Sequence, residues 1–105
     1  MKVVLLVFDE VDKEGELFLK GSVTEQVGID LEIPVTKRFG DAGLVGHIIR
    51  MEIEDNKLIG HFRPIKELHD ILPEIKIGAL VQESHREIYH TEIDKMTITK
   101  AGYAD

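Results

Sequence analysis

The chain has no cysteine, which removes disulfide cross-links, thiol nucleophiles and cysteine-ligated zinc together. Long apolar runs are missing as well. The opening stretch Val3 to Phe8 covers six residues and stops at Asp9-Glu10. That is far short of the roughly 20 residues of a membrane span, and no small-residue cleavage site of a secretory leader follows it. A soluble intracellular protein is expected. Basic residues are the scarcer charge, with 13 Lys and Arg against 20 Asp and Glu, a formal net charge of −7. A surface of that sign repels phosphate backbones and anionic bilayers, so neither nucleic acid nor membrane is expected as a partner. Basic protein surfaces remain suitable.

What is present is an ordinary globular balance. Apolar residues make up 43% of the 105-residue chain and charged residues 31%, enough for a single domain over residues 1–105 with one modest core. Linkers, internal repeats and low-complexity tracts are not seen.

The pattern along the chain is mostly extended. Val3 to Phe8 is a continuous apolar run suited to a buried strand. Asp12-Lys13-Glu14-Gly15 has turn chemistry and Leu17-Phe18-Leu19 starts a second strand. Ser22 followed three residues later by Glu25 predicts a short helix with Ser22 as its N-cap. Residues 29–35 read as extended and end near Pro34. The odd positions of 45–53 are mostly apolar, and Asp55-Asn56 separates that run from residues 58–62, which predicts a two-residue hairpin. Its register sets Glu54 against Lys57, Ile53 against Leu58 and Ile49 against Phe62. Ile65, Leu68, Ile71 and Leu72 fit one face of a short helix ended by Pro73. Residues 75–81 alternate as a strand, Ser84 to Glu87 read as a polar turn or loop, and 88–92 and 94–100 as two further extended pieces.

Seven or so strands with one or two short helices predict an α+β, mostly β fold. Its form would be a small antiparallel sheet or a partly open β-barrel. Gaps this short do not accommodate repeated βαβ crossovers.

Candidate chemistry is thin. His47 falls on the apolar parity of the first hairpin strand, where its ring needs a hydrogen-bond partner; a satisfied histidine at the core edge is the expected role. His61 has the opposite parity and is expected to face outward beside Arg50, and His69 lies on the polar side of the predicted helix. Ser84-His85 followed by His90 suggests a hydroxyl nucleophile with bases nearby, although catalytic triads are assembled in space rather than along the chain. The weak catalytic candidates are therefore Ser84, His47 and His90. For a metal, His85 and His90 would face opposite sides of one strand, and no helical His-Glu-x-x-His pattern exists. The carboxylates of Asp9, Glu10 and Asp12, or of Glu52, Glu54 and Asp55, do not match a calcium loop. Glycines 40, 43 and 46 lack the Lys-Ser/Thr and the helix of a phosphate cradle. No metal and no cofactor is expected.

Several segments resemble a known family. Val11-Asp12-Lys13-Glu14-Gly15-Glu16-Leu17-Phe18-Leu19-Lys20-Gly21-Ser22-Val23 is similar to the early "VD-x-x-GD-x-x-x-x-GAF" stretch of the prohead proteases of tailed bacteriophages. Their fold is like that of the herpesvirus assembly proteases. Ile33-Pro34-Val35, then Leu44-Val45-Gly46-His47-Ile48 and the hairpin to Phe62, resemble that family's "IPLLW-x-H … PIGK" region. Ile75-Lys76-Ile77-Gly78-Ala79 falls at its "L-SIGF", and Asp94-Lys95-Met96-Thr97-Ile98-Thr99 resembles its final "EVSLV" strand. The resemblance implies a serine nucleophile at the position of Lys76 and a histidine base near Phe39-Gly40-Asp41. This chain has neither. A lysine ammonium does not replace a serine hydroxyl as acyl acceptor at neutral pH, and loss of both members removes the whole nucleophile–base unit.

The expectation is thus a non-catalytic structural or assembly module of phage or prophage origin on a prohead-protease-like scaffold. Its partners would be proteins such as capsid or scaffold, or further copies of itself in a homo-oligomer. One alternative is a divergent head-maturation serine protease using Ser84 with His47 or His90. The other is a small-molecule-binding β-barrel with His47 lining an apolar pocket.

Overall fold

A computed structural model describes residues 1–37, 43–65 and 75–103. It contains seven strands and one short 3-10 segment, Lys20–Gln26, among the described residues. The strands are β1 (Lys2–Val7), β2 (Glu16–Phe18), β3 (Ile33–Lys37), β4 (Leu44–Glu54), β5 (Lys57–Pro64), β6 (Ile75–Arg86) and β7 (Thr91–Tyr103). They form one sheet in the order β1-β5-β4-β3-β7, with β6 on one edge of β7 and β2 beside β3 on the other. The sheet curls until β1 runs alongside β6, although no ladder joins these two strands. The fold is therefore mostly β and partly barrel-like, as the sequence pattern predicts.

The sheet is mixed rather than purely antiparallel. β7 takes β2 in parallel at Glu16↔Thr91 to Phe18↔Ile93 and β3 in parallel at Val35↔Ala101 to Lys37↔Tyr103. These pairings join strands distant in sequence, so no helical crossover is needed. Between the two parallel patches, β7 presents Ile98 to the 3-10 segment. Gln26 Nε2 donates to the Ile98 carbonyl at 2.9 Å, and the Ile98 amide donates to Gln26 Oε1 at 2.8 Å. One side-chain amide thus replaces a missing strand and satisfies both backbone groups.

The β4–β5 hairpin begins in the expected register, with Glu54↔Lys57 and Ile53↔Leu58. Asp55 opens the turn in the left-handed region at φ 56°, where aspartate is tolerated better than most side chains. Farther along, a bulge between Ile48 and Arg50 changes the phase, and Phe62 faces Ile48 rather than Ile49. The inward residues are even-numbered before the bulge and odd-numbered after it: Gly46, Ile48 and Met51 are buried, and His47 is not. The expected position of His47 on the core face is corrected accordingly.

Three further expectations change. The first strand is only half-buried, with Val4 49% exposed while Leu5 points inward, because it lies at the curled sheet's margin. Ser22 does not cap a helix: the 3-10 segment begins two residues earlier with Leu19 as its boundary and no side-chain cap. Ser22 is instead buried inside it. Pro34 does not end its strand, which continues to Lys37. The helix expected over 65–72 and His69 lie outside the described residues, apart from Ile65, which is exposed.

The core is a single cluster inside the curl, centred on Phe8, Val35, Ile48, Met51, Leu58 and Phe62, with Ile93, Met96 and Ile98 supplied by β7. Removing each large side chain from water contributes about 1.5–3 kcal/mol. Gly46 is fixed by this packing. A Cβ there would overlap the Arg63 carbonyl oxygen and come within 2.7 Å of the Phe62 ring. Gly43 takes φ 83°, a conformation that favours glycine. Both glycines therefore have structural roles, and Gly40 lies outside the described residues.

Candidate functional site

β6 and β7 make the longest hairpin among the described residues, and its distal end gathers a cluster of ionisable groups. Of the residues read from sequence as a turn, Ser84 to Glu87, all but Glu87 belong instead to β6, which runs to Arg86. The reversal falls at 87–90, closed by the Glu87 amide donating to the His90 carbonyl at 2.8 Å. β7 is likewise one continuous strand rather than two pieces. Extending β6 by these residues sets His85 opposite Glu92 and Ser84 opposite Ile93.

His85 lies at the centre of a carboxylate ring. Its Nδ1 is 2.6 Å from Asp94 Oδ2, and its Nε2 is 3.1 Å from Glu87 Oε1 and 3.2 Å from Glu92 Oε2. Both ring nitrogens face carboxylate acceptors, an arrangement that favours the doubly protonated imidazolium. The hydrogen bond to Asp94, and then the charges of Asp94 and Glu92, hold its pKa above the ordinary histidine value despite some desolvation. His90 Nε2 meets the other oxygen of Glu92 at 3.3 Å. The two imidazoles therefore converge on one carboxylate rather than facing opposite sides, because the chain reverses between them. His85, Glu87 and Glu92 could each give one ligand atom to a metal ion, these atoms lying within 4.8 Å of one another. A proton on Nε2 accounts for the same convergence.

A second acidic group stands next to the hairpin end. Thr91 donates its amide to the Gly15 carbonyl at 2.8 Å, which seats the Asp12–Gly15 turn against β7. Asp12 Oδ1 accepts the amides of Glu14 and Glu16, each at 2.9 Å, so this carboxylate is used in shaping the turn. Partial burial, then the charges of Asp12 and Glu14, raise the pKa of Glu16.

The outer face of β4 and β5 carries an open groove of about 480 Å³ lined by Asp30, Leu31, Glu32, Ile49, Arg50, His61 and Arg63. His61 stands opposite Arg50, as parity predicts. Its Nε2 lies 3.3 Å from Glu52 Oε2 but lacks the alignment of a hydrogen bond. The His61 ring beside Glu52, followed by Arg50 and Lys2, holds that carboxyl below its usual range. Arg50 reaches Asp30 and Glu52 at 3.5 Å each, and Arg63 reaches Glu32 at 3.6 Å. The groove's cations already face carboxylates, and His47 is not part of its lining.

The catalytic candidates are not brought together. Ser84 and Ile93 share one face of the β6–β7 ladder, while His90 contacts Glu92 on the other. The Ser84 hydroxyl makes no hydrogen bond to a described residue. His47 pairs with Pro34 on β4 and β3. It sits three strands from β6 and, measured along β7, roughly 20 Å from the level of Ser84. Lys76, at the position where the resemblance implies a serine, is exposed and paired with Gly102. The segment 39–41 lies outside the described residues.

Sequence reading missed the His85 ring. The signal was available in the period of two that joins Glu83, His85 and Glu87 and, after the reversal, Glu92 and Asp94. It was hidden because β6 is exposed on both faces there and has no apolar alternation. Comparison with protein-family models, curated proteins and solved structures yields no match.

Proposed function

We propose that the chain is a non-catalytic assembly module, of phage or prophage origin, on a scaffold like that of the prohead proteases. The observation that carries this reading is the separation of Ser84 from the imidazoles of His47 and His90, which leaves the hydroxyl without either of these bases. Lys76 at the family's serine position supports it from the sequence side. The described residues instead offer contact surface, in a long hairpin whose β6 strand has no hydrogen-bonded neighbour beyond β7. Such edges join proteins by strand addition.

Mixing the purified chain with the capsid and scaffold proteins of a tailed phage tests the proposal. Co-sedimentation with intact capsid or scaffold is the expected result. Serine-dependent cleavage of either protein would overturn it in favour of the protease reading.

A further inference from the structure

The distal hairpin combines three features that nothing in the fold requires. Ile88 and Tyr89 at the reversal are 83% and 89% exposed, although both are large and apolar in body. Every β6 residue from Leu80 to Arg86 is exposed, and the outer edge of β6 forms no ladder with another described strand. Carboxylates surround this area. Glu83, Glu87, Glu92 and Asp94 stand on the hairpin, and Asp12, Glu14 and Glu16 on the neighbouring turn. Against these seven carboxylates stand Lys13, Arg86, Lys95, which is paired with Glu83 across the ladder, and the His85 imidazole, so negative charge is in excess.

We propose that this end of the hairpin docks an extended, basic segment of a partner protein, with Ile88 and Tyr89 as the apolar anchors. The proposal rests on the assembly-module reading and specifies the chemistry of the partner. Exposed aromatic and aliphatic anchors ringed by one sign of charge suit a partner of opposite sign, which is steered in by the field and held by the apolar contact. A second copy is the poorer occupant. It would bring the same carboxylates to the same edge in a chain of net charge −7, and like charges set face to face repel.

Panning a random dodecapeptide display library on the immobilised full chain tests the inference. The recovered peptides are then synthesised and titrated against wild type and against an I88S/Y89S double variant. Both substituted side chains are exposed, so the variant should keep the wild-type unfolding midpoint. The expected peptides carry net positive charge, bind the double variant about tenfold or more weakly, and lose affinity as salt is raised. An E83Q/E87Q variant should weaken them while leaving Ile88 and Tyr89 in place. Recovery of neutral or acidic peptides, undiminished binding to the double variant, or no enrichment overturns the proposal. So does self-association that disappears in I88S/Y89S. Each of these results leaves the cleavage assay unaffected, so the docking proposal and the non-catalytic reading fail separately.

Discussion

Gln26 binds the backbone of Ile98 as a neighbouring strand would, giving one hydrogen and accepting another at 2.9 and 2.8 Å. The contact spans 72 residues of sequence and fills the interval on β7 between its parallel partners β2 and β3. The 3-10 segment is held to the sheet at this point, beside the buried Val23.

Gln26→Ala leaves both Ile98 groups without their partner in a half-buried place. The expected loss is about 1–3 kcal/mol of unfolding free energy, read from a urea titration. Gln26→Glu keeps the acceptor but, when ionised, sets an oxygen against the Ile98 carbonyl. Its protonated form can donate, so folding raises this carboxyl's pKa. Relative to wild type, the deficit of Gln26→Glu should therefore shrink as pH falls through the raised folded value and be smallest below the unfolded value of about 4.3. A pH-independent deficit would show that the side-chain amide is not making the second bond.

Gly46 and Gly21 should respond oppositely to alanine. At Gly46 the added methyl meets the Arg63 carbonyl and the Phe62 ring, and backbone cannot move aside cheaply. A loss of about 1–3 kcal/mol is expected. Nothing lies within 4 Å of the corresponding position at Gly21, so Gly21→Ala should be neutral or stabilising by about 0.4–1 kcal/mol. Thermal unfolding of the two variants decides.

Asp55 occupies φ 56° at the tight turn between β4 and β5. Asp55→Gly relieves the left-handed strain and should hold or raise the unfolding midpoint. Asp55→Val, branched at Cβ, should lower stability by about 1–2 kcal/mol. Equal effects from the two would place the strain elsewhere.

His85 makes stability fall on the alkaline side. Its pKa is raised by Asp94 and the neighbouring glutamates, so its contribution is fully present below the unfolded value of about 6.5 and is lost as pH rises through the higher folded value. The groups facing it are Glu87 at the reversal and Glu92 and Asp94 on β7, with His90 on the other oxygen of Glu92. In His85→Gln this slope should disappear, as measured by the difference in urea midpoint from wild type between mildly acidic and mildly alkaline pH. An identical slope in both proteins would assign the dependence to another group.

The sequence disclosed more of the fold than of the site, for identifiable reasons. Ile53, Leu58 and the Asp55-Asn56 turn determined one end of the β4–β5 register because apolar alternation and turn chemistry agree there. The alternation then failed at Ile48-Ile49. Two adjacent isoleucines give parity no means of locating a bulge, and the one-residue shift carried His47 to the wrong face. Ser22 and Glu25 match a capping box, yet the segment is 3-10 and starts at Lys20, because its docking on β7 through Gln26 outweighs a local cap. The polar stretch from Glu83 to Glu87 looks like a loop because β6 buries neither face at that end. Its strand character comes from pairing with β7, which no local pattern contains.

The account depends most on Ser84 being an ordinary hydroxyl, and a fluorophosphonate probe followed by peptide mass spectrometry examines it directly. Held apart from His47 and His90, Ser84 should stay unmodified in the native chain, with no more labelling than in the unfolded one. A stoichiometric adduct on native Ser84, abolished in Ser84→Ala and by replacement of His47 or His90, would contradict it.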